Sequence, residues 1–143
     1  MSVHLIKLVV GIDDLATLAN WQNHAKITYQ GKKASFVRTR YKPRRADEIL
    51  EHSGSIYRVI RGRILCRQTI LGFEQEEDAV KGKQCFIIID NQIIRTEPMP
   101  YKPFQGWRYM EQERAPQDVG PYDTGGNDGS NSFEEGLKEL GVL

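Results

Sequence analysis

The sequence holds little with which to do metal, redox or membrane work. Its two cysteines, Cys66 and Cys85, stand in separate apolar stretches without a CxxC pair, and its three histidines, His4, His24 and His52, are scattered. A zinc site needs closer ligand spacing. Both thiols are therefore expected to be reduced core residues, which suits a cytoplasmic protein. No apolar run approaches the ~20 residues of a membrane span. The short run Leu5 to Val10 is broken by Lys7 and followed by Asp13 and Asp14, so it does not read as a signal peptide. There is no P-loop, GxSxG or HExxH. Of the adjacent carboxylates, Asp13-Asp14 read as a helix cap and Glu76-Glu77-Asp78 as a solvated loop. Cys66 lies beside Arg67 but has no evident histidine partner to make it a nucleophile. The chain implies neither a cofactor nor a catalytic residue, and an enzyme is the less favoured reading.

What is present is a soluble composition, 39% hydrophobic and 27% charged, over 143 residues, enough for one domain with a real core. The net charge of +1 hides a segregation. From Lys32 to Arg67 eleven basic residues face three acidic ones, while from Glu111 to the end eight acidic residues face two basic ones. The middle of the chain is thus suited to an anionic partner, unless the acidic end folds back over it.

The longest strand-forming stretch is Ser55 to Phe73, SIYRVIRGRILCRQTILGF. Its apolar residues fall on both parities, as in a strand buried on both faces. It is expected to be one bent strand, or two strands turning at Arg61-Gly62. Arg58, Arg61, Arg63 and Arg67 run through it, and arginine is rarely buried without a partner.

Around it, Val3 to Val10 reads as a first strand. A helix capped by Asp13 or Asp14 follows, with Leu15, Leu18, Ala19 and Gln22 on one face. Lys32 to Arg40 reads as a strand, and Arg44 to His52 as a helix burying Ala46, Ile49 and Leu50. Gln75 to Lys83 reads as a loop, and Gln84 to Ile89 with Gln92 to Thr96 as a hairpin turning at Asp90-Asn91. The prolines at 98, 100 and 103 mark an extended connection to a last strand, Phe104 to Tyr109. Residues 1–115 form the expected domain. Residues 116–143 are the expected tail, Gly-, Asp- and Asn-rich to Ser132 and ending in a short amphipathic piece, Phe133 to Leu140.

Three groups could carry binding. Arg38, Arg40, Arg44 and Arg45, with Tyr41 interleaved before a helix, suit phosphates. Arg61, Arg63 and Arg67 extend the basic set, with pairing to Glu74–Asp78 or to the acidic tail as the alternative. Phe104, Trp107 and Tyr109 are candidate stacking residues, with core packing as the alternative, and Tyr57 and Trp21 could complete a stacking pocket.

HLIKLVVG, RTRYKPRRADEIL, GSIYRVIRGRILCRQTILGFE and RTEPMPYKPFQGWRYM together resemble a bacterial family of roughly 140-residue uncharacterised proteins, a domain of unknown function. The layout also resembles the PUA-like group of EVE and ASCH domains. That second resemblance implies an α+β fold: a mixed β-barrel with two or three short flanking helices. It also implies a cleft between barrel and helix, lined by aromatic and basic residues, and a function in binding RNA or a modified nucleobase. The alternatives are a protein-interaction module using the acidic tail, or a small enzyme acting on a nucleotide-like anion.

Overall fold

The computed structural model describes residues 2–122. In chain order the elements are β1 (Val3–Leu8), α1 (Leu15–His24), β2 (Ile27–Tyr29), β3 (Lys32–Thr39), α2 (Ala46–Glu51), β4 (Ser55–Ile60), β5 (Arg63–Asp78), β6 (Gly82–Asp90), β7 (Ile94–Pro100), β8 (Trp107–Glu111), a 3-10 turn (Gln112–Arg114) and β9 (Asp118–Pro121). The described residues are mixed α+β, mostly strand with two α-helices.

All six residues of β4 are buried, as its two-sided apolar pattern requires. It lies between β1, its parallel partner, and β5. Arg61 and Gly62 make the β4–β5 turn with φ of 51° and 81°, the left-handed pair of a two-residue hairpin. The nine-stranded sheet runs β2-β3-β6-β5-β4-β1-β8, with β7 joined to β5 and β9 to β7. Among the described strands no pairing joins one end to the other. The sheet is open, and the expected barrel is not formed.

The reason lies in β5. Its first half is flanked by β4 and β7, and its second half pairs with β6. A register shift between Ile70 and Gly72 separates the halves, and a bulge bends the strand that carries it. The two halves then pack on each other rather than curling into a tube. Val3, Leu5 and Ile56 of one half meet Ile70, Ile87 and Ile89 of the other, with Ile49 of α2 among them. Leu18 and Ala19 seat α1 on Ile60, Cys66 and Ile93. Asp14 caps α1, its carboxylate accepting from the Thr17 amide at 2.8 Å.

Several local expectations are corrected. Strand β5 continues to Asp78, so most of the acidic stretch read as a loop is paired with β6. The Asp90-Asn91 turn does not make a hairpin. Strand β6 pairs with β3 and β5, whereas β7 pairs with β5 and β9. Leu50 faces solvent, 38% exposed. Residues 118–121, inside the stretch read as linker, form β9. The remainder of that linker and the amphipathic piece at 133–140 lie outside the described residues.

Candidate functional site

Strand alternation places Val3, Leu5 and Lys7 on one face of β1, and Ile56, Arg58 and Ile60 on the same face of β4. That face is the one covered by the helices and by the other half of the sheet. Lys7 and Arg58 are register partners in the parallel pair. Two cations thus stand side by side on a core-facing surface.

Arg58 is only 8% exposed. Its Nη1 donates to Gln68 Oε1 at 2.8 Å, and its buried Nε has no partner. Gln68 is fixed in turn: its Nε2 donates to Gln22 Oε1 at 2.7 Å and to the Asp90 carbonyl at 2.9 Å. Gln22 donates to the Asn91 carbonyl, and Ser35 Oγ donates to Asn91 Oδ1. This chain holds the guanidinium in place without neutralising it. Among the described residues no carboxylate pairs with Arg58. Its strand neighbour Cys66 has its thiol pushed up to about 11 by burial, so it stays protonated and offers no counter-charge. An uncompensated buried charge costs on the order of several kcal/mol. Burial depresses the Lys7 ammonium, and Arg58 beside it adds to the effect.

Both side chains open into a cleft of about 460 Å³ between α1, the end of β1 and β3. Lys7, Arg38 and Arg58 line it together with Leu18, Trp21 and Phe36, and no carboxylate does. Trp21 is 53% exposed on α1. Phe36 and Arg38 alternate along β3 and Arg40 follows just past its end, all three exposed, so an aromatic and basic strip leads into the cleft. Phe36 meets Phe86 edge-on at 5.2 Å, and Arg38 lies over the Phe86 ring at 5.6 Å.

The residues expected from sequence divide among several places. Arg38 lines the cleft, and Arg40 is exposed one residue past the end of β3. Arg44 is exposed just before α2. Arg45 is already engaged: it pairs with Glu48 at 2.7 Å and Glu111 at 3.0 Å, and lies over the Tyr109 ring. These hydrogen bonds, Glu48 foremost, raise its pKa further. Tyr109 stands edge-on to Trp107 at 5.0 Å, and Trp107 packs against the core. Arg67 is bidentate on Asp118, at 2.7 and 2.8 Å, and donates to Ser55 Oγ. Tyr57 meets His4 edge-on at 5.1 Å beside that pair. Arg61 and Arg63 stand at the exposed β4–β5 turn. Lys7, Arg58 and Phe36 were not among the expected binding residues. The signal for the first two is a charged residue on the buried parity of a strand.

A family described as a protein of unknown function (DUF1489) matches residues 5–143. The chain belongs to this family. No curated protein and no solved structure matches it. The DUF1489 match covers the cleft-lining parts of β1, β3 and β4, both helices of the described residues and β9. Among the described residues no group of acidic, histidine and cysteine side chains could hold a metal ion, and no helix is long and apolar enough to cross a membrane.

Proposed function

We propose that the cleft and the β3 strip bind single-stranded RNA. Bases stack on Trp21 and Phe36, and Arg38, Arg40 and the cations of the cleft meet the phosphates. The observation that carries this reading is a cleft lined by three cations and two aromatic side chains with no carboxylate. Aromatic platforms tracked by positive charge suit single strands, where stacking contributes ~1–3 kcal/mol per base. Arg45 and Arg67 take a lesser part, since their guanidinium groups are committed to Glu48, Glu111 and Asp118. Kinship with the PUA-like group belongs to the same proposal, and a basic, aromatic cleft between sheet and first helix is what supports it.

The chain has two tryptophans, so Trp107→Phe leaves Trp21 as the sole indole reporter. Titration with a short oligouridylate should quench its emission, and the affinity should fall steeply with salt. Trp21→Ala should weaken retention while melting close to wild type, because an exposed side chain contributes little to stability. Salt-independent retention, or none at low salt, would sink the proposal.

A further inference from the structure

We infer that the inner end of the cleft is a receptor for a terminal phosphate, with Lys7 and Arg58 as its two cations. The inference rests on the RNA reading and names which part of the ligand enters deepest. Arg58 is nearly inaccessible from outside, yet its Nε is unpartnered. Like charges directly opposite on neighbouring strands destabilise a sheet, and Lys7 and Arg58 occupy that relationship. Both features are explained by an anion that completes the arrangement.

The character of that anion follows from access and charge. An internal phosphodiester carries one negative charge and has chain on both sides of it, so it cannot be pushed down to a buried guanidinium. A terminal phosphomonoester is small and ends the chain. It carries nearly two charges at pH 7, matching the two cations. A guanidinium also presents its donors in a fork that fits phosphate oxygens. Gln68 takes one Nη1 donor and leaves Nε. The Gln68–Gln22 pair fixes where that fork sits, so these two are positioning residues. Trp21 and Phe36 at the rim would then receive the terminal base.

The test uses the full chain and oligouridylates of equal length carrying a 5′-phosphate, a 3′-phosphate or no terminal phosphate. One phosphorylated end should bind about tenfold or more tighter than the unphosphorylated strand, the scale of a charge-assisted hydrogen bond. Lys7→Met and Arg58→Met should abolish that preference, so that all three strands bind equally and more weakly than to the wild type. In phosphate-free buffer Arg58→Met should melt at or above the wild-type temperature, because it removes a buried uncompensated charge. Should that variant fold poorly, Lys7→Met, at a half-buried position, still decides the matter. If no oligonucleotide binds, the RNA reading falls, and inorganic phosphate at fixed ionic strength tests the receptor alone. A rise in Tm over chloride that Lys7→Met loses would keep the receptor. Equal binding of all three strands by the wild type, or no phosphate-dependent rise where RNA does not bind, overturns it.

Discussion

The imidazole Nδ1 of His4 accepts a hydrogen bond from the backbone N–H of Ser55, 2.9 Å away, where β1 meets β4. An amide can only donate, so Nε2 carries the ring proton and donates to Gln112 Oε1 at 2.7 Å. Burial holds the His4 pKa below its ordinary value against the Gln112 bond. Arg67 adds to that depression, while Asp118 and Glu111 oppose it. The unfolded chain takes up this proton near pH ~6.5, and the folded chain only at lower pH. Stability is therefore complete above that value and declines as pH falls toward the folded pKa. Tm should be flat from about pH 8 to 7 and drop below about pH 6.5, before the carboxylates titrate. His4→Gln should flatten the drop, and an unchanged wild-type Tm down to pH 5 would contradict the assignment.

The arginines are expected to separate by whether they already have a partner. Arg38→Ala with Arg40→Ala should weaken RNA retention equally for all sequences. The salt slope should flatten by about one unit or slightly more, each lost single-strand phosphate contact removing ~0.7. Arg45→Ala should leave both nearly unchanged, since Glu48 and Glu111 already occupy its guanidinium. A larger loss with Arg45→Ala than with the Arg38 and Arg40 changes would move the RNA path to the Trp107 side of the molecule.

Strand β9 should be needed for full stability. Its chain is tied down by Glu97 N–H to the Gln117 carbonyl, Tyr122 N–H to the Ile93 carbonyl and the Arg67–Asp118 pair. Arg67 holds the Asp118 carboxyl below the usual carboxylate range. A chain ending at Pro116 should melt roughly 5–10 °C below one ending at Tyr122, the scale of one or two lost kcal/mol in a domain of this size. Equal melting temperatures would show that β9 contributes nothing.

Gly54 should tolerate no side chain. A Cβ there would strike the Val3 carbonyl and the Ile49 side chain, where α2, β1 and β4 converge. Gly54→Ala should cost ~1–3 kcal/mol or more by overpacking, read from urea unfolding. A neutral substitution would mean that α2 can shift away from β1.

Much of the fold could be read from local pattern. The two-sided burial expected over Ser55–Phe73 holds in Ser55–Ile60, whereas Arg63–Phe73 alternates between buried and more exposed positions. Of the alternatives at the cap and the turn, Asp14 caps α1 and the chain turns at Arg61-Gly62. The partners of β7 could not be read, because adjacency to β6 in sequence suggested a hairpin while the pairing that forms is with the first half of β5. Strand β9 has almost no intrinsic strand signal in Asp-Val-Gly-Pro; the edge of β7 and the pull of Arg67 on Asp118 make it a strand. At the site, Arg38 and Arg40 stood out by charge density. Lys7 and Arg58 did not, since a charge on a buried parity gains meaning only when two strands far apart in sequence bring two such charges together.

The place of β1 bears on how the chain is made. Leu5 pairs with Ile56 on one side and with Tyr109 on the other. During synthesis β1 emerges before both of its partners, β4 and then β8, the second close to the end of the described residues. At about 5–20 residues per second, each wait lasts on the order of seconds. Throughout it, Val3, Leu5 and Ile6 remain on an unpaired apolar strand. Such long-range pairing slows the search for the native sheet, and newborn chains are most open to mispairing or chaperone capture before β8 arrives.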